Sequence, residues 1–406
     1  VLVTAADRWR VAPGELISWR VDVADEGVPV GLSVNQRNHL GGVRAGRSTV
    51  WLASTFEVPG PVDVDALTAA YLTLVGRHST LQCEVRWDDG DDAVAGGDVH
   101  AVRHDPRALS CTVDSSRLPM SSADTVGRLR ALLDRECSPV SYPAFVLAAV
   151  SRPDVSTVVC GFDHVHGDAH SVAIVARELH AAYRGDADAL PAAGSFVERV
   201  AEWSAQPPLS DGDERLALWH RMLGEWDFRL PTFPLSLGVA DGEVASQRTE
   251  CRPLADAATV AALSVCAAEA GGSTFAGLVT ALARAVRALG GPESTPTLVP
   301  VHTRNGVRDE STVGWFTTTV PMAMTTDVAT TAANVAAAKH ASAAPLDQVL
   351  ASLPRPLVWP RRDAFMVSYV TIAGWVWTRR CARRTTCRPR RRRTSCRSGW
   401  RAPTTV

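Results

Sequence analysis

Phe162-Asp163-His164-Val165-His166-Gly167-Asp168-Ala169-His170-Ser171 is the stretch on which the fold of this chain turns. Before it, Ser156 to Phe162 (STVVCGF) is a short run of β-branched and apolar residues, the pattern of a buried strand. After it, Val172, Ile174, Val175 and Leu179 recur at helical spacing. That spacing predicts a helix from about Ser171 to Tyr183, with Gly185 placed to stop it. A strand therefore enters the histidine turn and a helix leaves it. A side chain at such a turn can project into a cleft while regular elements hold its backbone. An ordinary histidine has a pKa of about 6.5, so His164 can accept a proton at neutral pH and activate an alcohol beside it. The same residues have plainer readings. His164 can be a satisfied core histidine, Asp168 can cap the following helix, and His166 and His170 read as solvent-facing turn residues.

Working outward, Ala144 to Val150 reads as a short apolar strand joined to the next by the turn Arg152-Pro153-Asp154. Ser48 to Phe56 reads as a strand. Ala66, Leu67, Ala70, Tyr71, Leu74 and Val75 then predict a helix that starts at Asp63 or Asp65 and ends near Arg77–His78. Leu81 to Trp87 reads as a further strand. Ser204 to Glu214 (SAQPPLSDGDE) has linker composition. Beyond it, helices are expected at Ala255–Ala270 and Thr274–Leu289, and a strand at Thr297–Thr303. This alternation gives an α/β chain of two domains, with a boundary within 205–245, drawn as halves 1–225 and 226–371. There is no internal repeat.

The chain has 406 residues, 46% of them hydrophobic and 21% charged, enough to bury a core without disulfides or metals. No apolar run is long enough to span a membrane, and the acidic residues of the first segment do not make a secretory signal. Six cysteines before residue 372 are widely spaced and read as buried free thiols of a reducing cytoplasm. The formal net charge of −1 conceals an asymmetry: Ile372 to Val406 carries eleven arginines and no acid, which leaves about −12 on the rest. An acidic body is a poor partner for nucleic acid. The tail has no period of 2 or 3.6. It reads either as out-of-frame translation of GC-rich DNA or as a basic interaction tail. A start at Val1 points to conceptual translation or a trimmed N-terminus.

Asp163-His164-Val165-His166-Gly167-Asp168-Ala169 resembles the HHxxxDG motif of the condensation-domain superfamily, matching its second histidine and its aspartate. Asp163 stands for the first histidine and Ala169 for the glycine. Other stretches follow in the same order. Arg77-His78 with Leu81 resembles RHxxL, and Val313-Gly314-Trp315-Phe316-Thr317-Thr318-Thr319-Val320-Pro321 resembles VGxFxNTxP. Trp9 with Pro13-Gly14 and Trp19, Pro231 to Gly238 (PTFPLSLG), Thr303-Arg304-Asn305 and Phe365 to Tyr369 (FMVSY) are similar to the polyketide-associated acyltransferases that esterify envelope glycolipids. The resemblance covers roughly residues 5–370.

The resemblance implies two chloramphenicol-acetyltransferase-like domains around a central channel. It makes His164 the general base for an acceptor hydroxyl that attacks an acyl thioester, with Asp168 completing the motif and Arg304 pairing with Asp168. His166 and Thr318 are secondary candidates. No cofactor is expected to be bound; acyl-CoA or a phosphopantetheinyl acyl carrier is the co-substrate. The acceptor is a sugar or hydroxylated glycolipid, a polyketide synthase is a candidate partner, and a cytoplasmic monomer is expected. The family's late DFGW-type motif and the strands that should follow Tyr369 are missing, so an incomplete second domain is expected. Other readings are an amide-forming condensation domain and a catalytically dead carrier-binding protein. A metal site is the sharpest alternative, since H-x-H-x-D-x-H resembles the H-x-H-x-D-H ligand run of metallo-β-lactamase-type hydrolases. Ala169 puts the spacing off by one, and no downstream ligand set follows, so no metal is expected.

Overall fold

The computed structural model describes residues 9–46, 49–87, 99–116, 121–239, 243, 250, 252–358 and 364–371. The expectations for the tail at 372–406 lie outside the described residues. In chain order the elements are β1 (Glu15–Val23), β2 (Val28–Val30), α1 (Val34–Arg44), β3 (Trp51–Pro59), α2 (Val64–Arg77), β4 (Cys83–Trp87), β5 (Val99–Arg103), β6 (Leu109–Ser116), α3 (Ser122–Glu136), β7 (Phe145–Ser151), β8 (Val155–Asp163) and α4 (Ala169–Tyr183). There follow α5 (Phe196–Ser204), α6 (Glu214–Glu225), α7 (Ala257–Glu269), α8 (Thr274–Ala288), β9 (Ser294–His302), α9 (Val307–Glu310), β10 (Thr317–Thr325), α10 (Val328–Ala341) and α11 (Leu346–Ser352). The fold is α/β.

The main sheet is antiparallel in the order β3-β8-β7-β1-β6. β8 is buried from Ser156 to Asp163 because helices cover both faces. Val158, Cys160 and Phe162 face a core built with Leu67, Tyr71 and Leu74 of α2 and Ile174 and Leu179 of α4. Val159 faces Leu129 and Leu133 of α3. Alternate residues thus point to opposite faces, as strand geometry requires. Gly161 is needed on the α3 side, since a Cβ there would overlap the Leu133 side chain. β2, β5 and β4 form a separate small sheet.

β9 and β10 form an antiparallel pair in register from Thr317↔His302 to Thr325↔Ser294. Residues 365–367 lie along the other side of β9, with Leu298 donating to the Phe365 carbonyl at 3.0 Å and Val367 donating to the Leu298 carbonyl at 2.9 Å. α6, α8 and α10 pack on this pair through Trp219, Leu223, Val279, Ala283, Val320, Met322 and Ala338.

Local chemistry sets the element ends. Asp63 caps α2, accepting from Ala66 N–H at 3.0 Å. Leu81 and Gln82 belong to a 3-10 turn before β4 rather than to the strand. Gln82 is buried there because its amide donates to the Val75 and Gly76 carbonyls at the end of α2. Cys137 and Cys160 are buried free thiols, but Cys83 and Cys111 are partly buried and Cys266 is exposed on α7, against the expectation of uniform burial. No single helix among the described residues is long and apolar enough to cross a membrane; α7 and α8 meet that test only as a pair bent by 99°.

Candidate active site

β8 ends at Asp163, and one 3-10 turn, His164–His166, leads to Gly167 and Asp168. The turn is fixed at its entry. Asp163 N–H donates to the Ala144 carbonyl at 2.9 Å, and His164 N–H to the Val50 carbonyl at 2.8 Å. The Asp163 carboxylate accepts from Val165 N–H at 2.8 Å and so caps the turn. Asp168 caps α4, accepting from Ser171 N–H at 2.9 Å. This is why α4 begins at Ala169, two residues before the apolar spacing becomes visible.

His164 is partly buried, and its ring lies against Trp315 with centroids 3.9 Å apart. Its Nδ1 is buried with no hydrogen-bond partner among the described residues. Nε2 is therefore the nitrogen left to accept a proton. Burial lowers the pKa of His164 below 6.5; an interaction with its own main-chain carbonyl opposes this, and the nearby His39 reinforces it. A base with a lowered pKa stays unprotonated at neutral pH. The rate should therefore hold to below pH 6.5 on the acid side and fall as His164 protonates, which a kcat/KM profile from pH 4.5 to 8 would check. An acid limb centred above 6.5 would contradict the burial effect.

Asp168 meets Arg304 across 136 residues of sequence. Arg304 Nη1 donates to Oδ2 at 2.6 Å and Nη2 to Oδ1 at 3.0 Å, a two-pronged contact. Both side chains are buried, at 4% and 1% exposure, so solvent does not screen them. The remaining capacity is used as well. Phe316 N–H donates to Asp168 Oδ2 at 3.0 Å, Arg304 Nε donates to the Asp309 carbonyl at 3.2 Å, and Nη2 also reaches the Thr312 carbonyl at 3.2 Å. Burial alone would raise the Asp168 pKa, but the Arg304 hydrogen bonds and charge, with Ser171, outweigh it and hold the group below 3.8.

These bonds bring the loop before β10 against the turn. Ser171 Oγ donates to the Gly314 carbonyl at 3.0 Å, and Trp315 Nε1 donates to Thr317 Oγ1 at 2.8 Å. Buried His78 accepts from Val313 N–H at 3.3 Å through Nδ1, and its Nε2 faces Glu178 at 3.0 Å. That pattern fixes the proton on Nε2. Gly314 is packed so closely that a Cβ would overlap the Phe196 ring. Gly314→Ala should cost about 1–3 kcal/mol of stability in urea unfolding, the usual cost of overpacking. It should also weaken the Trp315 contact with His164.

His166 is not solvent-facing. It is 2% exposed, with Nδ1 at 2.8 Å from the Thr80 carbonyl and Nε2 at 3.1 Å from the Pro143 carbonyl. A neutral ring donates to only one of these at a time. His170 is half-buried and faces Glu310. Thr318 pairs with Val301 on β9, its hydroxyl buried without a hydrogen-bond partner among the described residues. Three residues of this neighbourhood had been assigned no role from the sequence: His39 on α1, Asp163 and Trp315. Trp315 lies inside a quoted motif, but His39 carries no local signal. Among the described residues, no group of three or more His, Cys, Asp or Glu is placed to hold a metal ion. A surface cleft of about 640 Å³, lined by Gly14, Glu57, Arg152 and Asp154 among others, stands at the start of β8, the opposite end from His164.

A strand-ending histidine thus stands four residues before a buried Asp–Arg clasp in an α/β fold. The chain belongs to the condensation-domain family, whose model matches residues 44–344. It is 25% identical over 341 residues to acyltransferase PapA3 of Mycobacterium tuberculosis, covering 78% of this chain and 68% of that protein. It is 24% identical over 345 residues to trehalose-2-sulfate acyltransferase PapA2 of Mycobacterium bovis, covering 79% and 70%. Among solved structures, a PapA2 acyl transferase superposes with a TM-score of 0.75 at 24% identity, covering 90% of this chain and 83% of that one. The X-domain from teicoplanin biosynthesis gives 0.65 at 20% identity, covering 86% and 78%. The fold is therefore that of the chloramphenicol-acetyltransferase-like enzymes.

Proposed function

We propose that this chain is an O-acyltransferase that moves a fatty or polyketide acyl group from a CoA or carrier-protein thioester to a hydroxyl of a sugar or glycolipid. His164 is the general base in this reading. The observation that carries it is His164 itself: a partly buried imidazole with lowered pKa, at the end of a buried strand, with Nδ1 enclosed. Nε2 takes the acceptor O–H proton as the oxygen attacks the thioester carbonyl carbon. The tetrahedral intermediate collapses with C–S cleavage, and the proton passes from Nε2 to the departing thiolate. The products are an ester and a free thiol, and the protein ends as it began.

The relatives named for trehalose-2-sulfate and 2-O-sulfo-trehalose acylation support a disaccharide acceptor. In this reading Asp168 and Arg304 hold the turn and transfer no proton, while His166 and Thr318 are secondary. In this reading two halves, placed by the sequence at 1–225 and 226–371, enclose a channel to His164. α6 packs with the β9–β10 core, which favours drawing the boundary just before Glu214. The reading includes a cytoplasmic monomer that receives its acyl group from a thioester donor, with a polyketide synthase as a candidate supplier. The test is incubation of purified protein with palmitoyl-CoA and trehalose or 2-sulfotrehalose, following free thiol and ester by mass spectrometry. Acceptor-dependent thiol release with matching ester is expected. Carrier or CoA binding without any turnover would instead make it a binding protein.

A further inference from the structure

The family motif has a histidine where this chain has Asp163, and that replacement creates an unusual problem. Asp163 is 0% exposed. Its Oδ1 accepts from Val165 N–H, and its Oδ2 has no hydrogen-bond partner among the described residues. A buried carboxylate needs a cation or several donors to remain charged. The structure supplies one from a distant part of the chain. His39, on α1, places Nε2 at 2.8 Å from Asp163 Oδ1. The His39 side chain is 12% exposed, and its ring centroid is 6.4 Å from that of His164 and 5.8 Å from that of Trp315.

We propose that His39, paired with Asp163, is a positioning residue for His164, neutralising the buried carboxylate that caps the turn and holding the base against Trp315. The proposal rests on His164 being the base. α1 is itself tied to the same turn, since Gln36 donates to the Val165 carbonyl at 2.9 Å. Ser33 and Gln36 form a capping box that fixes the start of that helix. His39 therefore sits on an element whose position is set by the turn it serves.

Electrostatics makes the pair separable from a packing role. The charged groups that act on His164 are His39 from α1, Asp163 from β8 and Asp168 from the cap of α4, the last already matched by Arg304. His39 disfavours a proton on His164, and Asp163 favours one. The two act on His164 with opposite signs. His39→Gln keeps a donor for the Asp163 carboxylate but removes the positive charge, leaving a bare negative charge near the base. Asp163→Asn removes the negative charge while leaving an oxygen to face His39.

The experiment is an NMR titration of the histidine ring signals in uniformly labelled full-length protein, with His164→Gln used to assign the His164 resonances. The wild type, His39→Gln, Asp163→Asn and the double variant are compared. His39→Gln should raise the His164 midpoint by about one pH unit, the size expected for one unit charge at this distance under partly screened conditions. Asp163→Asn should not raise it, and the double variant should return to within about 0.3 unit of wild type. The acid limb of the rate profile should move with the midpoint. A His164 midpoint unchanged or lowered in folded His39→Gln would overturn the proposal. If His164→Gln retains full turnover, the base assignment fails, yet the titration still reads the electrostatic coupling separately. Loss of stability in His39→Gln and Asp163→Asn alike, without any shift at His164, would reduce the pair to packing.

Discussion

His164→Ala is expected to lower acyl transfer by at least about 10²-fold, the lower end of what a positioned general base contributes and equivalent to roughly 3 kcal/mol of barrier. The protein should stay folded. The backbone at His164 is held by its N–H bond to the Val50 carbonyl, which alanine keeps. What is lost is the contact with Trp315 and the proton acceptor. Initial rates with a thioester and its acceptor, alongside a thermal melt, separate the two effects. Turnover equal to wild type at equal folded protein would remove His164 as the base. His166→Ala provides the control. Its ring bridges the Thr80 and Pro143 carbonyls, so its removal should cost stability, about 1–3 kcal/mol for a buried bond left unmade, with a smaller loss of turnover. A larger loss of turnover at His166 than at His164 would move the base to His166.

The strand, turn and helix around His164 were legible because burial on both faces forces an unbroken apolar run into β8, while α4 buries one face and keeps its 3.6 spacing. Boundaries were less legible where polar residues govern them. α4 starts at Ala169 because the Asp168 carboxylate, not an apolar residue, caps it. Leu81 and Gln82 look like strand because Leu81 is apolar, yet Gln82 closes the end of α2 with its amide. α1 was not read as a helix, since only Gln36 and Leu40 are buried in it and no apolar stripe forms. With α1 went His39, which lies 124 residues from its partner and belongs to no motif. Arg304 was found only through a family pattern. Nothing local in Thr303-Arg304-Asn305 points to a carboxylate 136 residues away. Side chains that act across the fold leave a sequence signal only when a family has already recorded it.

Asp168→Ala and Arg304→Ala should each lower stability by about 3–5 kcal/mol, the usual cost of leaving one member of a buried ion pair without its partner. In Asp168→Ala the guanidinium keeps carbonyl acceptors at Asp309 and Thr312 but loses its counter-charge. In Arg304→Ala the carboxylate keeps donors from Ser171 and Phe316, which soften the loss. Asp168→Ala should therefore be the worse of the two, because it also removes the cap of α4 and the Phe316 contact. The double variant should be less unstable than the sum, with a coupling energy of about 0.5–3 kcal/mol, because each single change strands a charge that the other removes. The pH dependence has a definite sign. Asp168 has a folded pKa below its ordinary value, so its contribution is full at neutral pH and declines as pH falls through the ordinary carboxylate range towards the lowered folded value. Wild type should lose more stability than Asp168→Asn on acidification below about pH 4. Urea unfolding at pH 7 and pH 3.5 across the four proteins measures both effects. Strict additivity of the two alanine variants would deny the clasp an energetic role. Its role in turnover would then have to be sought in the placement of Trp315, which both residues secure through the loop they grip.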